Sequence, residues 1–176
     1  MLRCLLQSSF ERPDPLTSSS DIGSDIIKRL CDAVGSPPDV ADRVSAAIAQ
    51  PGRYLAGTER GFVTLETSNL GLLVFLDEVL AADRACEFDF TESAMSVLFD
   101  VAELVQCWSA EAADVLRFLD LEDVSSVSDA ISQSNVHVAS FGVMFIEFDI
   151  GSDSHPVVEC KTADEDAVRR GIAHLE

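Results

Sequence analysis

Basic residues are nearly absent from the middle of this 176-residue chain. Residues 61–160 contain nineteen Asp and Glu but only Arg84 and Arg117, so this stretch carries a net charge of −17 out of the total of −19. Residues 1–60 and 161–176 each carry a net charge of −1. A negative field of this size repels nucleic acid and anionic membranes and accelerates association with a basic partner. The charge therefore favours a protein-binding domain over an enzyme, with no nucleic acid and no membrane among its partners.

Closely spaced cysteine pairs and long apolar runs are also missing. The five cysteines are never spaced as CxxC, which argues against a disulfide framework or a zinc site. The apolar cluster in residues 1–10 is too short for the core of a signal peptide, and no window approaches the roughly 18 apolar residues of a membrane span. We therefore predict a cytoplasmic protein with reduced thiols and with neither metal nor other cofactor.

The acidic stretch has the composition of a folded domain. Hydrophobic residues make up 47% of the chain and are interleaved with the acids, whereas a disordered acidic tail would be poor in them. Residues 11–20 combine two prolines with a Thr-Ser run, which is typical of a linker. We predict an N-terminal arm or linker over residues 1–20 and a single domain over residues 21–176.

Apolar spacing, caps and breakers predict a mixture of helices and strands. Helices are expected from Asp21 or Ser24 to Gly35, from Pro38 to Pro51, and in segments beginning at Ser68 or Asn69, Thr91, Ser109, Val127 and Asp164. In the helix that starts at Thr91, the spacing places Met95, Leu98, Phe99, Ala102 and Val105 inward. Strands are expected at residues 62–65 and 86–90 and in a hairpin of residues 143–150 and 156–160. This order predicts an α+β fold: a small, largely antiparallel sheet packed with several amphipathic helices.

The tripeptide Glu-Phe-Asp occurs twice on predicted strands, as residues 87–89 and as residues 147–149. The period-2 geometry of a strand points both carboxylates of each copy to the same face. If the two strands were adjacent, four carboxylates would converge and could bind Mg²⁺ or Ca²⁺. The simpler interpretation, which we favour, is that the acids lie on the solvated face of each strand.

A second candidate for chemistry is an acid followed by an apolar strand that ends in Glu-x-Lys. Asp149 or Asp153, followed by Glu159 and Lys161, resembles the core of the PD-(D/E)xK nuclease family. The resemblance implies that the acids would bind a metal and that the lysine would steady the attacking water or the phosphate. A metal-dependent nuclease-like enzyme is therefore an alternative function, although the acidic surface is unsuited to binding phosphates.

Three segments together suggest a family of binding proteins. They are residues 70–80 with Asp77 and Glu78, the strand of residues 86–90, and the hairpin of residues 145–160 with Gly-Ser-Asp-Ser at its tip. The combination resembles the small acidic bacterial immunity proteins of contact-dependent and type VI toxin systems. This resemblance implies a cytosolic protein that binds one secreted toxin and occludes its active site.

We accordingly predict an acidic protein-binding inhibitor whose partner is a basic protein, most simply a cognate toxin domain. It would not be an enzyme, and an acidic adaptor domain without an inhibitory role is the second alternative. The acids placed in loops or at strand edges are the candidate partner-binding residues: Asp77, Glu78, Glu87, Asp89, Glu92, Asp120, Glu122, Asp123, Asp149 and Asp153.

Overall fold

A computed structural model describes residues 19–58, 69–121 and 124–176. The strand predicted at residues 62–65 and all but the last two residues of the predicted arm lie outside these ranges. Among the described residues, no helix is both long and apolar enough to cross a membrane.

The described residues form the predicted α+β fold, with helices surrounding a small antiparallel sheet. The helices are α1 (Ser19–Ala33), α2 (Pro38–Ala49), α3 (Pro51–Leu55), α4 (Leu70–Ala81), α5 (Ala94–Val105), α6 (Ala110–Arg117), α7 (Val127–Val138) and α8 (Glu165–Leu175). The strands are β1 (Ala85–Asp89), β2 (Val143–Glu147) and β3 (Ser154–Lys161). Short 3-10 turns occupy Ala139–Phe141 and Thr162–Asp164.

The sheet has the order β1-β3-β2 within the described part of the chain. β3 is the central strand, and it is longer than either neighbour. Its first half pairs with β1, from Ser154 opposite Asp89 to Val158 opposite Ala85. Its second half pairs with β2, from Val157 opposite Glu147 to Lys161 opposite Val143. Beyond Val158, the side of β3 that faces β1 is therefore no longer covered by that strand.

Helices cover both faces of the sheet, and each face has its own hydrophobic core. Helices α1, α2, α4 and α8 pack on the face that includes Ile146, Val158 and Cys160. Helices α5, α6 and α7 pack on the face that includes Phe88, Phe145 and Val157. Because alternate residues of a strand point to opposite faces, β3 contributes to both cores and is buried from Pro156 to Cys160.

Local sequence signals account for most helix boundaries. The side chains of Ser93, Ser109 and Ser126 cap α5, α6 and α7 by accepting a hydrogen bond from the backbone N–H three residues later. Gly35 ends the first helical segment with φ +67°, a left-handed conformation that favours glycine. Pro51, predicted to stop α2, also begins the separate short helix α3, since proline is well accepted at the first helical position.

The predicted inward face of α5 was partly wrong. Leu98, Ala102 and Val105 are buried, but Met95 is 65% exposed and Phe99 is 60% exposed. Val97, Val101 and Leu104 are buried instead. This helix is apolar over most of its circumference, so spacing alone could not select the buried face. It also begins three residues later than Thr91, after the Ser93 cap.

Strand lengths differed from the prediction as well. Phe90 lies just beyond β1 and is 62% exposed, although the alternation of residues 86–90 predicted a strand through it. β2 ends at Glu147 rather than at residue 150, although Phe148 and Ile150 remain buried. The first helix begins at Ser19, two residues before the predicted domain boundary.

The contact between α1 and α8 depends on a glycine. A Cβ added at Gly171 would lie 2.6 Å from the Leu30 Cβ, which is buried on α1. We predict that Gly171→Ala lowers the free energy of unfolding by about 1–3 kcal/mol, the usual cost of overpacking, because the clash exceeds the small helix-propensity gain of alanine.

Urea unfolding of Gly171→Ala beside Gly52→Ala tests this prediction. No atom lies within 4 Å of a Cβ added at Gly52, so that control should unfold at the wild-type urea concentration or slightly above it. Equal stability of Gly171→Ala and the wild type would show that the two helices are less closely packed than described.

Candidate functional site

The acids predicted to bind a partner fall into several places on the described structure. Asp77 and Glu78 lie on α4 and line a cleft of about 530 Å³ with residues of α2 and α3. Arg43 Nε donates to Glu78 Oε2 at 2.5 Å, and the Tyr54 hydroxyl donates to Asp77. These two acids are therefore engaged in contacts within the fold.

Four further predicted acids lie together at the hairpin end of the sheet. Asp89 is opposite Ser154, and the backbone N–H of Phe90 donates to the carbonyl oxygen of Asp153 at 3.3 Å. Glu87 accepts a hydrogen bond from the Ser154 hydroxyl at 2.6 Å, and Asp149 accepts one from the backbone N–H of Gly151 at 2.6 Å. The structure thus places Glu87, Asp89, Asp149 and Asp153 around one hairpin, and we call these four residues the hairpin acids.

Hydrogen bonds within the turn favour the charged form of Asp89. Its Oδ1 accepts from the backbone N–H of Thr91 at 2.9 Å and from the Thr91 hydroxyl at 2.8 Å. The backbone bond, followed by the hydroxyl bond, lowers the pKa of Asp89 below its ordinary value. Asp89 is exposed, so this charge faces solvent.

An exposed apolar surface lies next to the hairpin acids along the chain. Met95 and Phe99 are one turn apart on α5 and therefore share its outward face. Phe90 and Glu92 lie in the turn that leads into this helix, and Glu103 lies one turn beyond Phe99. We call these five residues the α5 surface.

Acidic groups crowd the α5 surface. Burial raises the pKa of Asp100, and the charges of Glu92 and Glu103 raise it further, so the three carboxyl groups repel one another. Arg117 contacts Glu103 at 2.6 Å, but the chain has no lysine or arginine between Arg84 and Arg117. The surface therefore combines large exposed apolar side chains with a negative field.

The remaining predicted acids are not part of either group. Asp120 is exposed in the connection between α6 and α7. Glu122 and Asp123 lie outside the described residues.

The two Glu-Phe-Asp copies do not form one site. β1 and β2 are separated by β3, and Glu87 is opposite Pro156 whereas Glu147 is opposite Val157. Since Pro156 and Val157 are consecutive, the two glutamates point to opposite faces of the sheet. Within the described ranges there is no group of three or more His, Cys, Asp or Glu side chains arranged to hold a metal ion. The convergence of four carboxylates is thus excluded for these strands.

The nuclease-like motif is also dispersed. Glu159 and Lys161 share a strand face as expected, but Asp149 and Asp153 precede the first residue of β3. Glu159 is five residues beyond Ser154, a separation of roughly 16 Å at about 3.3 Å per residue. Asp153 therefore cannot bind the same metal ion as Glu159. Asp149 lies two residues beyond Glu147, which is opposite Val157, so it also lies toward the hairpin end and away from Glu159.

Glu159 instead belongs to a buried polar cluster that the sequence did not reveal. It lies where β3 extends past β1, and its side chain is completely buried. Its Oε1 accepts a hydrogen bond from the Cys107 thiol at 3.1 Å and lies 3.8 Å from the Arg84 guanidinium. Its Oε2 has no hydrogen-bond partner among the described residues.

Burial dominates the ionisation of this carboxyl group. It raises the pKa of Glu159 to about 7, while the Cys107 thiol, the Trp108 indole N–H and the Arg84 charge act in the opposite direction. The Trp108 N–H is close enough to lower the pKa, but its geometry falls short of a hydrogen bond. At neutral pH the group is therefore divided between its protonated and ionised forms.

The surrounding side chains hold Trp108 over this cluster. The Lys161 ammonium lies 4.9 Å from the centroid of the indole ring, within range of a cation–π interaction. On another side, the indole packs so closely on Gly35 that an added Cβ would come within 2.7 Å. Arg84, the adjacent pair Cys107 and Trp108, and Glu159 come from three separate parts of the sequence, and the fold brings them together where β3 extends past β1.

The comparison with protein families gives one match. The model of the family described as Domain of unknown function (DUF6630) matches residues 26–175, so the chain belongs to that family. No curated protein and no solved structure matches the chain.

The raised pKa of Glu159 predicts a dependence of stability on pH. Between its unfolded pKa of about 4.5 and its folded pKa of about 7, the folded state binds more protons than the unfolded state. Glu159 therefore makes the free energy of unfolding fall as pH rises from 4.5 through 7, by on the order of 3 kcal/mol in total. Below pH 4.5 this group adds no further dependence.

Urea unfolding at pH 5 and pH 8 of the wild type and Glu159→Gln measures the effect. The other acids repel one another in both proteins, so the difference between the two slopes isolates Glu159. We expect the variant to lose less stability between the two pH values. Parallel pH profiles would contradict the raised pKa.

Proposed function

We propose that this member of the DUF6630 family is a cytosolic immunity protein that binds and inhibits a basic toxin domain. The observation that supports the proposal is the α5 surface: Phe90, Met95 and Phe99 are exposed in the segment that directly follows Asp89, and this segment has no basic residue. Exposed apolar patches with a charged border are typical of protein-binding surfaces.

The α5 surface and the hairpin acids have different roles in the proposed binding. Met95 and Phe99 would supply most of the affinity, because burying such a side chain contributes about 1.5–3 kcal/mol. The hairpin acids and Glu92 would orient the partner and accelerate encounter, since complementary charge acts mainly on the association rate. Occlusion of the toxin's active site by the docked domain would then inhibit it.

The two alternative functions differ in what they require. A metal-dependent nuclease would need Asp149 or Asp153 beside Glu159, and the strand separation is against it. An acidic adaptor would use the same surface without inhibiting its partner, so inhibition has to be measured as well as binding. The product of the neighbouring gene is the first partner to test.

The acidic field predicts salt-dependent association. We expect Asp149→Asn with Asp153→Asn to lower the association rate severalfold at low salt, because asparagine keeps the turn's hydrogen-bond acceptors while removing two charges. The difference should shrink as salt rises, since the Debye length is about 8 Å at physiological ionic strength. Stopped-flow association at several salt concentrations measures both effects.

A control with the same net charge is available on α1 and α2. Asp25→Asn with Asp42→Asn removes two exposed charges from the helical layer that does not include α5. This control should associate at nearly the wild-type rate. An equal loss of rate in both double variants would show that net charge, not the hairpin, steers the partner.

The apolar part of the α5 surface predicts a loss of affinity on truncation. Phe99→Ser should raise the Kd by about tenfold or more, which corresponds to about 1.4 kcal/mol. The fold should be retained, because the replaced side chain is 60% exposed. Val136→Ser, which replaces a 75% exposed apolar side chain on α7, serves as the matched control.

Isothermal titration with the partner, together with protection of cells that express the toxin, completes this test. Unchanged affinity and full protection with Phe99→Ser would refute the α5 surface as the binding site. If the toxin remains fully active when it is saturated with the wild-type protein, then this protein is an adaptor and not an inhibitor.

A further inference from the structure

The buried cluster around Glu159 has a reactive group at its outer edge. Cys107 lies in the turn between α5 and α6, and among the described cysteines it is the exposed one. Its thiol donates to Glu159 Oε1 at 3.1 Å, and it receives a hydrogen bond from Arg84 Nη1 at 2.6 Å. A nucleophile, a carboxylate and a cation thus meet where solvent has access.

Stability does not explain the carboxylate in this cluster. Moving an ionised group out of water carries a large desolvation cost, and the guanidinium at 3.8 Å offsets this cost incompletely. A glutamine or an apolar residue would fill the same volume without that cost. The completely buried Glu159, whose second oxygen has no partner in the described part of the chain, is therefore a candidate for a chemical role.

The arrangement has the elements of an activated nucleophile. A base within hydrogen-bond reach of the attacking atom, itself oriented by neighbouring groups, is the usual sign of one. Here Glu159 is within reach of the thiol, and Arg84 and Trp108 contact the carboxyl group. The cation of Arg84 also lies next to the sulfur, where negative charge would develop.

We propose that Cys107 is a nucleophilic thiol that reacts with small peroxides, and that Glu159 is its general base. The Glu159 carboxylate accepts the thiol proton while the sulfur attacks one peroxide oxygen and the O–O bond breaks. The departing hydroxide takes the proton from Glu159 and leaves as water. Sulfur is oxidised by two electrons to a sulfenic acid, and the peroxide is reduced.

The ionisation of the two groups agrees with a general-base mechanism. Burial, followed by the hydrogen bond and charge of Glu159, raises the pKa of Cys107, so the resting thiol is protonated and needs a base. The pKa of Glu159 is about 7, close to a physiological operating pH, which suits proton transfer. The nearby charged groups are Arg84, which lowers both pKa values, and Lys161, which lies over Trp108.

Three other cysteines serve as internal controls. Cys31 and Cys160 are buried, and Cys86 is half-buried with its thiol 3.8 Å from the carbonyl oxygen of Asp100. Burial raises the pKa of each of them to about 12. All three should react slowly with peroxide in the folded protein.

Hydrogen peroxide treatment followed by dimedone trapping and peptide mapping tests the proposal. We expect the label at Cys107 well before Cys31, Cys86 or Cys160, at a rate that rises between pH 6 and pH 8 as Glu159 ionises. Glu159→Gln should slow labelling of Cys107 about tenfold or more at pH 7.5 and remove this rise, because the general base is lost. The fluorescence of Trp108, the single tryptophan of the chain, verifies that the variant retains its local packing.

Whether Glu159→Gln slows or accelerates the labelling of Cys107 shows whether Glu159 acts as a base or only repels the thiolate. If Glu159 only disfavours the thiolate, removing its charge lowers the pKa of Cys107 and accelerates labelling, which overturns the proposal. Equal labelling of Cys107 and the buried cysteines in the wild type overturns it as well. Should Glu159→Gln disturb the fluorescence of Trp108, Arg84→Gln provides a second test, and an unchanged labelling rate in that variant would contradict the assigned role of the cation.

Discussion

The central strand β3 contributes side chains to both hydrophobic cores. It pairs with β1 through its first half and with β2 through its second half, and its residues from Pro156 to Cys160 are buried. Val158 faces one helical layer and Val157 faces the other. A polar substitution at either position would disrupt one of the two cores, because each core closes on this strand. The stagger of the two pairings also creates the space that Glu159 and Trp108 occupy.

The sequence was sufficient to predict most helices and strands, but it was not sufficient to predict which face of each one is buried. The Ser109 cap and the apolar spacing of residues 127–138 predicted helices at the observed places, because capping and periodicity are local. The outward position of Met95 and Phe99 was missed, since an almost wholly apolar helix has no preferred side until its neighbours are known. The burial of Glu159 was missed for a related reason. Glu159 and Lys161 share one face of a strand, and this pattern suggests that the face is exposed to solvent. Only the folded structure shows that β3 is buried at Glu159.

Two features of the structure lower its stability. The proposed docking surface rests on one of them, and the proposed chemistry of Cys107 rests on the other. The α5 surface exposes large apolar side chains to water, and the interior holds a carboxyl group that a neutral residue could replace. Natural proteins tend to break the rules of stability at functional sites. The first departure suits a protein partner, and the second suits chemistry at Cys107. Both involve α5 or the turn that follows it, so oxidation of Cys107 would occur close to the proposed docking surface.

Hydrogen–deuterium exchange with and without the product of the neighbouring gene would show whether α5 and the hairpin form the docking surface. We expect slower exchange in residues 89–103 and 147–155 of the complex, with α1 and α2 unchanged. Slower exchange confined to α1 and α2, with residues 89–103 unaffected, would contradict it.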